Sequence, residues 1–169
     1  MKTKTYAIMG AIIIAIIALD QWTKYLAIKH LKGAEDIVII PRFFSLTYAE
    51  NTGAGFGIFP GQTSFFIVVT IIALIAFIVL SIYGDFKKAF FYTLALSLLI
   101  GGSIGNFIDR LTREGGKVID MIDAWILSHQ FPVFNIADIA LTMGFIALAL
   151  DIFIFEKKRG SSNEKNLQD

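Results

Sequence analysis

An acidic residue, Asp138, closes the stretch "PVFNIAD" and directly precedes the apolar run "IALTMGFIALAL". No Lys or Arg stands three or four residues away to neutralise it on one helical face. A carboxylate inside an apolar membrane segment is costly, and such a group usually serves a function. Two close carboxylates oppose each other's ionisation, so one can take a proton from water while the other gives a proton to a substrate. Asp138 is therefore a candidate acid–base group that needs a second carboxylate.

Further polar residues stand at the ends of the apolar segments, and several share a helical face. They are Asp20 and Lys24 (i,i+4), Asn51, the set Asn106, Asp109 and Arg110 (i, i+3, i+4), and Asn135 with Asp138 (i,i+3). Each set also has a simpler structural interpretation. Asp20 and Lys24 could form an ion pair at a helix end, and Asn135 could be a helix N-cap. The set in "GNFIDR" could be a capping cluster, and "GGSIG" before it is typical of close helix packing.

Several other chemistries are excluded by residue type and spacing. The chain has no cysteine, and its two histidines, His30 and His129, lack zinc-ligand spacing and an evident serine partner. The stretch "NTGAGFG" lacks the GK[ST] ending of a phosphate-binding loop. A net charge of +1 provides no strongly basic field for nucleic acid. We therefore expect no cofactor, no metal and no nucleic-acid partner.

The composition places these residues in a membrane protein. Hydrophobic residues make up 56% of the 169 residues and charged residues 17%, whereas soluble domains are about 45–50% apolar and about 25% charged. Four segments are long enough to span a bilayer if the first and fourth take their polar residues into it. They are 5–28, 64–83 within the charge-free interval 51–84, 89–108 and 131–155. The first could be a signal peptide, but "ALDQWTK" lacks a small-residue cleavage site.

The density of Lys and Arg favours cytoplasmic positions for both termini. Helices 1 and 3 would then run outward and helices 2 and 4 inward, so the polar groups gather near the outer leaflet. Segment 33–60 contains the strand-like pieces "DIVII" and "RFFSLTY", which predict a small outer sheet. In the outer loop 109–135, "MIDAWILSH" predicts a short amphipathic helix. We expect a mostly α membrane protein with one domain, 1–155, and a disordered cytoplasmic tail, 156–169.

The partner of Asp138 is not decided by spacing. Four carboxylates would lie on the outer side of the predicted topology: Asp20, Asp109, Asp120 and Asp123.

Five blocks in fixed order resemble the lipoprotein signal peptidases, the bacterial type II signal peptidases. They are "DQWTK" (20–24), "NTGAGFG" (51–57), "GGSIGNFIDR" (101–110), "VID" (118–120) and "FNIAD" (134–138), and the resemblance extends over about 15–155. That family consists of four-span aspartyl proteases of the cytoplasmic membrane with an outer sheet-like cradle and a short outer helix. They remove the signal peptide from prolipoproteins before a cysteine that carries diacylglycerol.

The resemblance implies roles for ten residues of this sequence. The catalytic pair would be Asp120 and Asp138. Substrate-binding or site-ordering roles fall to Asn51, Asn106, Arg110 and Asn135, and supporting roles to Asp20, Lys24, Gly53 and Asp109. The sequence departs from the family pattern at Gly55, Ser103, Met121 and Ile139, which affects pocket packing rather than the reaction class.

Two other functions fit some of these features. A small proton-coupled transporter also uses intramembrane acids, although its site usually lies near the midplane between internal repeats. A lipid-binding or assembly protein would account for the amphipathic outer elements but gives the acids no purpose. Membrane lipids are expected partners in every case.

Overall fold

The computed structural model describes residues 2–53, 61–83, 90–126 and 129–156. Within these residues the long helices are α1 (Lys2–His30), α2 (Thr63–Tyr83), α3 (Phe90–Thr112) and α4 (Ile136–Leu150). The strands are β1 (Ile37–Ile40), β2 (Phe44–Asn51), β3 (Val118–Ile126) and β4 (His129–Gln130). A 3₁₀ turn (Glu114–Gly116) precedes β3, and a π-helical turn (Asp151–Glu156) continues α4. The glycine-rich residues 54–60, including Gly55, and the tail from 157 onward lie outside the described residues.

All four long helices are apolar enough to cross a membrane, as the sequence predicts, and the chain is a multi-pass membrane protein. Helix α3 is the central helix, because it packs against the other three and most of its span is buried. Two of its glycines allow close approach. A Cβ on Gly102 would lie 2.6 Å from the carbonyl oxygen of Ala137, and one on Gly105 would lie 2.7 Å from Oδ2 of Asp20. The prediction that "GGSIG" is a packing surface is confirmed.

The strands form one antiparallel sheet in the order β1-β2-β3-β4 at one end of the bundle. The small sheet predicted in 33–60 is confirmed as the β1–β2 hairpin. The hairpin turns at Arg42, whose φ of 60° lies in the left-handed region. Ile119 and Met121 of β3 pack on Ala27 and Leu31 in a buried apolar cluster, and this contact seats the sheet on the end of α1.

The predicted short outer helix in 121–129 is wrong. Residues 121–126 belong to β3, where Ile122 pairs with Leu46, and the backbone N–H of Trp125 donates to the carbonyl oxygen of Phe43. A short apolar run fits either a helix or a strand by periodicity alone. The open edge of β2 decides the outcome, because β3 satisfies its backbone groups there.

Helix α4 begins later than the apolar run suggests. The run starts at Phe131, but 131–135 is not helical, and Phe134 exchanges backbone hydrogen bonds with Ile122. Helix α4 therefore begins directly beside the strand that carries Asp120.

Candidate active site

The first turn of α4 is fixed by a reciprocal pair of hydrogen bonds. The side-chain oxygen of Asn135 accepts from the backbone N–H of Asp138 at 2.9 Å, and Oδ2 of Asp138 accepts from the backbone N–H of Asn135 at 3.1 Å. This arrangement is a capping box, and it satisfies two backbone donors at the helix start. Asn135 is the N-cap of α4, as its spacing suggests. The capping box uses Oδ2 of Asp138, so Oδ1 can accept from other donors.

Strand β3 brings a second carboxylate to this helix end. Asp120 is 2% exposed, and its Oδ1 accepts from Nδ2 of Asn135 at 2.7 Å. Its Oδ2 accepts from Nδ2 of Asn51, at the end of β2, at 3.1 Å. Burial and then the negative charge of Asp138 raise the pKa of Asp120 to about 7, against the hydrogen bonds from Asn51 and Asn135. This carboxyl is therefore poised to gain or lose a proton near neutral pH.

Asn106 of α3 connects the two acids to the buried charges of α1. Its Nδ2 donates to Oδ1 of Asp138 at 2.8 Å. Its Oδ1 accepts from Nδ2 of Asn135 at 3.1 Å and from Nζ of Lys24 at 2.9 Å. Both ends of the amide are used, so its orientation is determined by its neighbours.

Lys24 is fully buried between two carboxylates. Its Nζ lies 2.8 Å from Oδ2 of Asp20 and 3.0 Å from Oδ2 of Asp109, and both acids are also fully buried. Carboxylate oxygens of these two acids also accept hydrogen bonds from backbone N–H groups. Oδ1 of Asp20 accepts from the N–H of Ala137, and Oδ2 of Asp109 accepts from the N–H of Ile119. The ion cluster thus ties α1 to the starts of α4 and β3.

The sequence reasoning missed two members of this cluster. Nε2 of Gln21 lies within 3.2 Å of Oδ2 of Asp20, the carbonyl oxygen of Gly105 and Oδ1 of Asp109. Nε of Arg113 lies 2.9 Å from Oδ1 of Asp109. Arg113 stands i,i+4 from Asp109, so its spacing could have revealed the pair. Gln21 carries no comparable local signal, because two of its three partners, Gly105 and Asp109, lie on α3.

Arg110 is directed across the mouth of the site. One terminal guanidinium nitrogen donates to the carbonyl oxygen of Gly53 at 3.1 Å, and the guanidinium carbon lies 5.2 Å from the centre of the Phe66 ring. Gly53 itself is held by Asn51, whose side-chain oxygen accepts from its backbone N–H at 2.9 Å. Arg110 therefore links α3, α2 and the segment after β2.

Both acids line one cavity of about 300 Å³. Its polar wall is formed by Asn51, Gly53, Asn106, Arg110, Asp120 and Asp138. The rest of the lining is mostly apolar and comes from 131–134 and from Leu141 and Phe145 of α4. An apolar cavity with a few convergent polar groups is the usual form of a binding site.

The rival carboxylates do not line this cavity. Asp20 and Asp109 are bound in the ion cluster of Lys24. Asp123 pairs along the sheet with Ser45 rather than Ala49, the partner of Asp120. Its carboxylate accepts from the Ser45 hydroxyl, the Trp125 indole N–H and the Gln130 amide.

The fold and the site together define a multi-pass membrane protein with a paired-carboxylate cavity at one end of its helical bundle. A family model described as signal peptidase (SPase) II matches residues 12–154. The chain belongs to this family of peptidases, which confirms the resemblance seen in the sequence.

Individual relatives and solved structures agree with the family model. A lipoprotein signal peptidase of Brevibacillus brevis is 45% identical over 143 residues, which cover 85% of this chain and 93% of the relative. One of Staphylococcus aureus is 39% identical over 165 residues, 96% of each chain. A solved bacterial membrane enzyme superposes with a TM-score of 0.79 at 38% identity, covering 93% of this chain and 91% of its own. The likeness therefore extends over nearly the whole molecule.

Proposed function

We propose that this chain is an aspartic endopeptidase that removes the signal peptide from prolipoproteins by cleaving before the diacylglyceryl-modified cysteine. One observation carries the proposal: Asp120 and Asp138, from separate elements, line the same cavity and are both hydrogen-bonded to Asn135. The family and the names of the relatives support the substrate class.

The two acids divide the work of hydrolysis. Repulsion between close carboxylates keeps one shared proton on the pair, and its apparent pKa values belong to the pair. The ionised carboxylate takes a proton from water, which attacks the carbonyl carbon of the scissile amide. The protonated carboxyl then gives its proton to the leaving amine nitrogen, so that no covalent enzyme intermediate forms.

The remaining polar groups of the cavity orient the substrate. Arg110 and Asn51 flank the acids at its mouth, and their donors suit the carbonyl oxygens of an extended peptide. The apolar wall that includes Leu141 and Phe145 suits the apolar end of a signal peptide. Asn106 and Asn135 fix the positions of the acids. The buried ion cluster of Asp20, Lys24 and Asp109 holds the elements that carry these residues in place. The carbonyl oxygen of Gly53 accepts a hydrogen bond from Arg110.

The site would lie near the outer leaflet of the bacterial cytoplasmic membrane, with both termini in the cytoplasm. The ends of α1 and α3 and the starts of α2 and α4 lie at the end of the bundle with the sheet, so the start of α1, which carries Lys2 and Lys4, lies at the other end. Residues 1–155 form the peptidase domain, and 156–169 are a cytoplasmic tail. Such a site meets a substrate that is anchored by its lipid and signal helix.

The proton-coupled transporter is not supported, because the chain belongs to a peptidase family. The acids also cluster at one end of the bundle rather than at the midplane that transporters favour.

A direct assay tests the proposal. The purified protein is incubated with a synthetic diacylglyceryl prolipoprotein, and the products are read by mass spectrometry. We expect one cut directly before the lipidated cysteine and no cut in the unlipidated peptide. An intact signal peptide after prolonged incubation would contradict the proposal.

A further inference from the structure

A second cavity, of about 410 Å³, lies between the end of α1, the β1–β2 hairpin, β3 and the first residue of α4. It shares no lining residue with the cavity that holds Asp120 and Asp138. Its floor includes the buried residues Ala27, Leu31 and Met121, and its rim includes Leu26 and Ile37. The volume falls within the range of about 300–1,000 Å³ that is common for ligand sites.

The walls of this second cavity offer almost nothing polar to a ligand. Thr23 and His30 are the polar residues among its described lining. The Thr23 hydroxyl is already within 2.9 Å of two carbonyl oxygens of its own helix. A peptide backbone in this cavity would bury N–H and C=O groups without partners, which is costly. The lining therefore fits a hydrocarbon chain rather than a peptide segment.

The elements that form the rim also carry large exposed apolar side chains. Trp22 and Tyr25 of α1 are 58% and 55% exposed, although both lie in a membrane-spanning helix. All four residues of β1 are Ile or Val, and each is about half exposed. Exposed apolar patches mark sites of contact with a membrane or with another protein. In a membrane protein, the bilayer supplies acyl chains to such a surface.

We infer that the second cavity binds one acyl chain of a bilayer phospholipid, at a site separate from the candidate active site. The occupant is a membrane lipid rather than the lipid of a substrate, because β3 separates this cavity from the two acids. Met121 directly follows Asp120 and Ile136 directly follows Asn135, so the bound chain contacts both elements that carry the acids. This inference does not depend on the proposed cleavage reaction.

Photo-crosslinking of the full chain tests the inference without any substrate. The protein is placed in phosphatidylcholine nanodiscs with a trace of phosphatidylglycerol that carries a diazirine in the middle of one acyl chain. After irradiation, modified residues are mapped by mass spectrometry. We expect adducts on Met121 and Leu31, which are only 4% and 7% exposed and are not reached by lipid that merely surrounds the protein. Leu26→Trp and Ile37→Trp, which fill the cavity from α1 and from β1, should lower these adducts several-fold.

Matched controls come from the same elements outside the second cavity. Leu19→Trp on α1 and Ile39→Trp on β1 are at exposed positions and should leave the Met121 and Leu31 adducts unchanged. If one rim variant fails to fold, the other carries the test. Adducts confined to exposed residues such as Trp22 would overturn the inference. So would labelling of Met121 that appears only with a lipopeptide bearing the diazirine in its diacylglyceryl group.

Discussion

The side-chain amide of Asn135 donates to Oδ1 of Asp120 across 2.7 Å, which joins the start of a transmembrane helix to strand β3 of the sheet. The same residue caps that helix through Asp138. One asparagine therefore sets the position of both acids relative to each other.

Removal of either acid should strongly reduce cleavage of a lipidated substrate while the protein still inserts and folds. Asp120→Asn and Asp138→Asn keep the shape of the side chain but cannot exchange the proton, so we expect losses of about 10²–10⁴-fold. Single-turnover cleavage followed by mass spectrometry gives the rate. The matched control is Asp123→Asn, a buried acid bound within the sheet, which should keep activity and lower thermal stability. Full activity in Asp120→Asn with none in Asp123→Asn would reassign the pair.

Asn135→Ser should separate helix capping from acid positioning. Serine is as good an N-cap as asparagine, so this variant should lose less thermal stability than Asn135→Ala, although both lose the hydrogen bonds of the side-chain amide to Asn106 and Asp120. The shorter side chain of serine cannot reach Asp120, and a displacement of about 1 Å can cost about 10²-fold in rate. We expect a drop in kcat with nearly unchanged KM, and Asn135→Ala should lose both rate and stability. Equal melting temperatures for the Ser and Ala variants would show that the cap contributes nothing.

The rate should fall as pH rises through about 7. Burial and the charge of Asp138 raise the pKa of Asp120 to about 7, so above this pH the pair loses its shared proton. Asn51→Leu removes a hydrogen bond that lowers this pKa, and the falling limb of kcat/KM should shift to higher pH. The free energy of unfolding should also fall as pH rises. Asp120 contributes its full stability below its ordinary pKa, because the carboxyl is then neutral in both the folded and the unfolded chain. That contribution is lost as pH rises through about 7. A falling limb that stays in place in Asn51→Leu would count against Asp120 as its source.

Lys24→Met should destabilise the protein strongly. It leaves Asp20 buried without the cation that pairs with it and Asp109 with Arg113 alone, and breaking a buried pair in this way costs about 3–5 kcal/mol. Unfolding in detergent, followed by circular dichroism, measures the loss. Glu50→Gln is the control, because Glu50 pairs with Lys32 and Lys117 at the exposed surface and should matter little. Similar melting temperatures for the two variants would contradict a structural role for the buried cluster.

Gly105→Ala should disturb the same cluster from the opposite side. Its new Cβ would lie 2.7 Å from Oδ2 of Asp20, so α1 and α3 must separate or Asp20 must turn away from Lys24. We expect lower thermal stability together with lower activity. Gly10→Ala on α1 meets nothing within 4 Å and should be neutral or slightly stabilising. An unchanged Gly105→Ala protein would show that the helices are not in close contact there.

The local features of this protein are determined by its sequence. Each span is encoded in one continuous stretch of hydropathy, and the capping box depends only on the three-residue spacing of Asn135 and Asp138. The i,i+4 pair of Asp20 and Lys24 is local for the same reason. Such features follow from helix geometry and need no knowledge of distant residues.

Only the tertiary structure decided which carboxylate lies beside Asp138. Asp120 and Asp123 are three residues apart on one strand, and local spacing offers either. The pairing of β3 with β2 puts Asp120 opposite Ala49 at the cavity and Asp123 opposite Ser45 within the sheet. The same pairing explains why residues 121–126 form a strand and not the predicted outer helix. The open edge of β2 supplies hydrogen-bond partners for the backbone of these residues. Strand register is a contact between distant segments, and a single local pattern does not contain it.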